Sequence, residues 1–253
     1  MRVQSHTALV TGGGSGIGLA VARSLADHGF RVIIAGRSTA RLEEATSTHK
    51  DLHTLTLDVT DEKNVGDAFE GLVERDMMPD VLINNAGAAI TAPLERTNLK
   101  VWQSMLDVNL TGAFLCTRAV LPHMKAQQFG RIITIASTAA LKGYAYTAAY
   151  TAAKHGILGM TRALALELSG TGVTANAVCP GFTDTDIVRT SVQNIVEKTG
   201  RSAKAALHEL TQHNPEDRLI RPDEVADTVL WLAGEKASAI NGQAIAVACG
   251  EVM

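Results

Sequence analysis

Short apolar runs and longer amphipathic stretches alternate along the whole chain. Near-continuous apolar runs at 7–10, 31–35, 52–57, 81–84, 131–135, 174–178 and 244–247 predict seven strands, most of them buried on both faces. Between them, helical spacing of apolar residues covers 16–28, 41–50, 62–76, 99–127, 145–169 and 223–233, the fourth stretch dividing into two helices. This alternation predicts an α/β fold: a doubly wound, seven-stranded parallel sheet with helices on both faces. Only 183–214 breaks the rhythm, being polar and partly helical in pattern. An insertion after a strand's carboxyl end lies where open sheets bind ligands, so it reads as a substrate lid or as a plain surface excursion. No repeat, low-complexity tract or linker divides the chain, and 1–253 is expected to form one domain.

Composition narrows the class. With 253 residues, 46% apolar and 19% charged, the chain suits a globular protein and not a disordered one. Aromatic residues make up only 4%, so Ala, Val, Ile and Leu must build the core. A net charge of −3 with scattered Lys and Arg gives no basic face, which excludes a nucleic-acid binder. Cys116, Cys179 and Cys249 are odd in number and lack paired spacing, as expected of buried small residues in a reducing compartment. No run is long enough to span a membrane, and the leader-like opening up to Ala22 is interrupted by glycines. A cytoplasmic protein is expected.

The first strand runs into Thr11-Gly12-Gly13-Gly14-Ser15-Gly16-Ile17-Gly18, which then opens the first helix. Glycine permits a sharp turn and a close approach to a pyrophosphate, while the helix N-terminus offers free N–H groups and a positive dipole end. A glycine cluster alone is often just a tight turn; between a strand and a helix it points to a dinucleotide. The second strand ends in Gly36-Arg37-Ser38. An acidic residue there would favour NAD through the ribose 2′-hydroxyl, whereas Arg37 suits a 2′-phosphate, unless it merely solvates the strand end. NADPH/NADP is therefore expected, with NAD the weaker choice.

Tyr150 and Lys154 stand four apart in an alanine-rich helical stretch and so share a helix face. An ammonium about 4 Å from a phenol, at an effective dielectric of about 20, stabilises phenolate by about 4 kcal/mol. That predicts a tyrosine pKa lowered by roughly three units towards working pH, fit for general acid–base catalysis. Ser137 follows the fifth strand, thirteen residues before Tyr150, where its hydroxyl could bind the same substrate oxygen or serve as a turn cap. Metal is not expected, because His49/His53 and His208/His213 lack ligand geometry. No Gly-x-Ser-x-Gly elbow surrounds Ser137, and the cysteines have no local basic partner to make a thiolate.

With these residues in place, the chain resembles the short-chain dehydrogenases/reductases over essentially its whole length. The resemblance rests on Thr11–Gly18, Asp58-Val59, Asn84-Asn85-Ala86-Gly87, Asn109-Leu110-Thr111-Gly112, Ser137, Tyr150 with Lys154, and Pro180-Gly181. It implies a Rossmann-like fold and a hydride transfer between a nicotinamide and a ketone or secondary alcohol. Tyr150 would be the acid/base, Ser137 would orient the carbonyl, and Lys154 would lower the tyrosine pKa while holding the nicotinamide ribose. Asn109 would position a water that extends the proton relay. Gly12, Gly14, Ser15, Gly16, Ile17 and Gly18 would cradle the cofactor, and Asp58 and Val59 would flank its adenine. Asn85 with Ala86 and Gly87 would lie beside the ribose, and Pro180, Gly181, Thr183 and Thr185 would close over the nicotinamide. Two departures stand out: Ala248-Cys249-Gly250 replaces a common Asp-Gly-Gly, and Phe182-Thr183-Asp184-Thr185-Asp186 replaces a Thr-Pro lid opening.

The two long helical stretches are apolar over more than one face, which predicts subunit contacts unless neighbouring helices of the same chain cover them. The resemblance implies a homotetramer. For the substrate, positions that carry docking arginines in carrier-protein reductases look like Gln128 and Thr171 here. Arg189, Lys198, Arg201 and Lys204 in the lid could meet coenzyme A phosphates or simply be solvated. Tyr144 and Tyr146 could line a pocket for a cyclic acyl group. A 3-oxoacyl-CoA or a compact cyclic ketone is the expected small-molecule substrate. The alternatives are a polyketide or acyl-carrier-protein ketoreductase, or a dinucleotide-binding protein without catalysis.

Overall fold

The computed structural model describes residues 6–49 and 51–253. Residues 1–5 of the leader-like opening, Lys50 at the expected end of the second helix, and the side chain of Lys198 lie outside that description. Seven parallel strands form one sheet in a single Rossmann-like domain. They are β1 (Thr7–Thr11), β2 (Arg31–Gly36), β3 (Leu52–Thr56), β4 (Val81–Asn84), β5 (Gly130–Ile135), β6 (Val173–Pro180) and β7 (Ala244–Val247). Their spatial order is β3-β2-β1-β4-β5-β6-β7, so the chain reverses its winding between β1 and β4. That reversal opens a crevice at the carboxyl ends of the strands, the place where such sheets bind ligands.

Alternate residues of the central strands feed two separate cores. Val10, Ile34, Ile83 and Ile135 pack on one face with α1 (Gly16–Asp27), while Leu9, Ile33, Leu82 and Ile132 pack on the other with α3 (Glu62–Glu74). Between β2 and β3 runs α2 (Thr39–Thr48), started by the Ser38 hydroxyl accepting from the Arg41 N–H. Burial on both faces holds for these central strands but not for the edges. β3 buries only Leu52 and Leu55, and β7 is only half covered, both lying at the edges of the sheet.

The stretch 99–127 is continuous where two separated helices are expected. α4 (Leu99–Leu106) passes through a π-helical turn, Asp107–Thr111, straight into α5 (Gly112–Ala126). α6 (Ala148–Glu167) begins three residues later than the pattern suggests, since Tyr146 adopts φ +65° and stops the helix from extending backwards. After β6 the polar stretch forms α7 (Asp186–Thr199) and α8 (Ala203–Thr211), and α9 (Pro222–Ala233) then packs beside α1. No helix among the described residues is long and apolar enough to cross a membrane.

Candidate active site

The glycine-rich turn leaves β1 with Gly12 at φ +64°, a conformation that resists a side chain. Gly18, one turn into α1, lies so close beneath that a Cβ there would sit 2.3 Å from the Gly12 carbonyl oxygen. Asn85, at the end of β4, closes the crevice. Its side-chain amide donates to the carbonyls of Thr11 (2.9 Å) and Gly12 (3.1 Å). In return, the Thr11 hydroxyl accepts from the backbone N–H groups of Asn85 and Ala86, both at 3.0 Å. The Asn85 amide thus clamps the turn itself. Ser15 caps α1 without a side-chain bond, which leaves the first-turn N–H groups facing the crevice. This bare, glycine-lined cradle fits a dinucleotide pyrophosphate.

Arg37 stands exposed beyond β2, with Asp58 within range of its field. Partial burial pushes the Asp58 carboxyl up, but bonds from the Thr60 N–H (3.0 Å) and hydroxyl (2.7 Å), aided by Arg37, hold it below its usual range. Arg37 has no ion-pair partner among the described residues, so its guanidinium is available to an anion.

At the carboxyl end of β5, the Ser137 Oγ accepts from the Ala139 N–H at 3.0 Å and caps a short 3-10 turn. Its O–H remains to point towards Tyr150, in the first turn of α6. Lys154 is buried, and its ammonium donates to the Ile135 carbonyl at 2.9 Å. Burial pushes that ammonium down to about 8. Burial likewise pushes the Tyr150 phenol above its ordinary value, opposed by hydrogen bonding from Ser137. The expected lowering of Tyr150 by Lys154 is therefore reversed here. The lysine nitrogen lies 5.6 Å from the tyrosine ring centre and is tied to β5, while desolvation disfavours both charged forms.

Asn109 is buried in the π-helical turn, where a residue is displaced from the regular ladder. Its amide donates to the carbonyls of Ala88 (2.9 Å) and Met105 (3.0 Å) and so ties α4 to the loop after β4. Below Lys154, Cys179 feels the Lys154 and Arg162 cations, which its local sequence does not reveal; burial still raises its thiol. Cys116 is pushed up to about 12 by burial alone.

Every residue expected from the sequence to have a catalytic or cofactor-holding role, from Gly12 to Thr185, lines one continuous cavity of about 2350 Å³. At the far wall, the Tyr144 hydroxyl meets Thr138 Oγ at 2.6 Å and donates to Glu251, and its ring meets Phe182 edge-on at 5.9 Å. Burial, then the Glu251 carboxylate, pushes the Tyr144 hydroxyl well above its usual range. Ile90, Gln103, Val188, Leu210 and His213 complete the cavity. Nothing in the local pattern marks these five, which the packing of α4, α7 and α8 and of the loops after β4 and α8 brings in, nor does it mark Glu251, which stands behind Tyr144.

Two expectations about docking change. Gln128 and Thr171 precede β5 and β6, at the opposite end of the sheet from the cavity, so within one chain they do not bear on access to it. In the lid, Arg189 is paired with Asp184 (3.0 Å) and Asp186 (3.4 Å), and Arg201 with Glu209.

The chain matches the short chain dehydrogenase family model over residues 6–196. It is 38% identical to a 3-oxoacyl-[acyl-carrier-protein] reductase of Synechocystis sp., with 98% of each chain covered. It is 37% identical to a D-beta-hydroxybutyrate dehydrogenase of Cupriavidus necator, with 95% of each chain covered. The actinorhodin polyketide ketoreductase, in a crystal structure with NADPH, superposes with a TM-score of 0.93 at 36% identity, covering 98% of this chain and 97% of that one. Motifs, sheet order and relatives agree, and the chain belongs to the short-chain dehydrogenase family of oxidoreductases.

Proposed function

We propose that the protein is an NADPH-preferring reductase that converts a ketone to a secondary alcohol, with a compact cyclic ketone as its substrate. The observation that carries this reading is the meeting of Ser137, Tyr150 and Lys154 with the glycine-rich cradle in one cavity. Gly12, Gly14, Ser15, Gly16, Ile17 and Gly18 would hold the pyrophosphate, and Arg37 the 2′-phosphate. Asp58 and Val59 would flank the adenine, with Asn85, Ala86 and Gly87 along one side. Pro180, Gly181, Thr183 and Thr185, below the lid helices, would close the nicotinamide end. NADPH, when bound, supplies the hydride equivalent.

The protein's own residues manage the proton. A phenol raised above its ordinary pKa is protonated at neutral pH, the state that reduction requires of a proton donor. Tyr150 gives its Oη proton to the carbonyl oxygen while the Ser137 hydroxyl donates to that same oxygen. The Lys154 ammonium then stabilises the phenolate until solvent restores the proton through the water that Asn109 positions. Removal of Lys154 would strand that charge in a buried site.

A cyclic substrate fits a cavity walled by Ile90, Val188, Leu210 and Tyr144. The pairing of Arg189 and Arg201 inside the lid argues against their use on coenzyme A phosphates, which places the 3-oxoacyl-CoA second. Likeness to the polyketide ketoreductase supports the cyclic reading. Loss of NADPH absorbance with cyclic diketones, aryl ketones and 3-oxoacyl-CoA thioesters tests all of this. Tight NADPH binding with no oxidation by any of them would mean a dinucleotide-binding protein without catalysis.

The same proposal extends to a homotetramer. Leu166 on α6 is an apolar position 80% exposed, and Phe114 on α5 stays 44% exposed although the Arg118 guanidinium lies over its ring at 5.2 Å.

A further inference from the structure

Two neighbouring hydroxyls at the end of β5 have opposite hydrogen-bonding polarity, and a carboxylate that does not line the cavity sets one of them. Glu251 lies two residues before the last described residue, with its side chain 2% exposed, and Lys142 pairs with it at 3.0 Å. A carboxylate in an ion pair only accepts, so the single proton of Tyr144 goes to Glu251. Thr138 Oγ lies 2.6 Å from the same phenol oxygen, whose proton is already committed, so Thr138 must donate to it. The chain of donors therefore runs Thr138 to Tyr144 to Glu251, and the Thr138 oxygen keeps only lone pairs for the cavity. Ser137 is the reverse. Its oxygen accepts from the Ala139 N–H, and its proton remains to be given. Gly181 makes the approach possible, since a Cβ there would lie 3.0 Å from a Glu251 carboxylate oxygen.

We propose that Glu251 is a positioning residue which, through Tyr144, fixes Thr138 as an acceptor beside the donor Ser137, and so selects cyclic ketones that carry a hydroxyl next to the reacting carbonyl. The carbonyl oxygen takes the Ser137 proton, and the neighbouring hydroxyl of the substrate donates to Thr138. This rests on the reductase reading above, and the test separates the two.

The readout is the ratio of kcat/KM for 2-hydroxycyclohexanone to that for cyclohexanone, with NADPH. The ratio is expected above one in the parent protein. It should fall about three- to tenfold in Glu251→Met and in Thr138→Val, the range of one hydrogen bond. The double variant should fall no further than Thr138→Val alone, because both changes break one chain. A merely structural role for Glu251 would lower both substrates in parallel, and that result, or an unchanged ratio, overturns the proposal. A second measurement does not need turnover. With tyrosine labelled at 13Cζ there are three signals, from Tyr144, Tyr146 and Tyr150, and Tyr144→Phe assigns the one of interest. Glu251→Met is expected to move the Tyr144 signal; an unmoved signal overturns the proposed chain. If the parent protein reduces neither these two ketones nor any of the carbonyls named above, the reductase reading falls and the tyrosine signal alone decides whether the hydrogen-bond chain exists. If it reduces those carbonyls but neither cyclohexanone, the proposed selection is overturned and the reductase reading stands.

Discussion

Lys154 reaches from the first turns of α6 to donate a hydrogen bond to the Ile135 carbonyl at 2.9 Å, binding the helix to the end of β5 at the point where Ser137 follows. A buried cation held by a neutral carbonyl is poorly compensated, and it is pushed down to about 8.

That strain predicts a trade of stability against activity. The folded chain gives up its Lys154 proton near pH 8, while the unfolded chain keeps it to about pH 10.4. Between these values the unfolded state binds more protons, so stability rises with pH across the window. Below pH 8 the full penalty stands, about 3 kcal/mol at about 1.4 kcal/mol per unit. Loss of the bond to Ile135 returns about 1 kcal/mol of that. Lys154→Met is therefore expected to gain about 2 kcal/mol at neutral pH, to lose that gain towards pH 10, and to be inactive. Urea unfolding at several pH values measures it; a variant less stable than its parent at pH 7 would refute the account.

Tyr150→Phe is expected to keep NADPH affinity and lose at least ~100-fold in turnover, the scale of general acid catalysis. In the parent protein, reduction should be flat through neutral pH, because burial keeps Tyr150 protonated. It should then fall as pH rises through about 8, where Lys154 loses its charge. A rate that climbs steadily with pH would point to phenolate as the active form instead.

Arg37→Ala is expected to erase a preference of at least about tenfold for NADPH over NADH, one charge-assisted bond being worth about 1.5–3 kcal/mol. The same change removes a cation that helps hold the Asp58 carboxyl low. Fluorescence titrations with both nucleotides decide it, and a variant that retains its preference would sink the role given to Arg37.

Asn85→Ala should leave the Thr11 and Gly12 carbonyls without their amide donor, at about 1–3 kcal/mol of stability. Because the clamp shapes the cradle, nucleotide affinity should fall as well. Unfolding and NADPH titration together test the pairing of these effects; stability lost with affinity intact would separate the clamp from the binding site.

Leu166→Glu puts a charge on an 80% exposed apolar position of α6. If four copies assemble across these helices, sedimentation should change from tetramer to smaller species. A parent protein that sediments as a monomer at micromolar concentration would end the proposal.

The alternation of strand and helix was legible because each strand is a local run of Val, Ile, Leu and Ala, and parallel strands need a crossover each. Tyr150 and Lys154 were legible for the same local reason: a separation of four holds wherever the helix lies. Boundaries were less so. Nothing local announces that Tyr146 takes a left-handed backbone, or that a π-helical turn joins α4 to α5.

Long-range relations were decided only by the tertiary structure. The order β3-β2-β1-β4 sets Asn85 beside Gly12, residues seventy-three positions apart, and so gives it a clamp on the turn that its motif does not announce. The pKa of Tyr150 depends on burial, which is a property of everything packed around it; a spacing argument contains the Lys154 charge but not the missing water. Glu251 makes the same point from the C-terminal end. Its sequence neighbours give it no role, and it acquires one because the segment after β7 folds back on Tyr144, 107 positions earlier in the chain. Periodicity records which face of an element is apolar; it holds no information about which distant atoms will share that face.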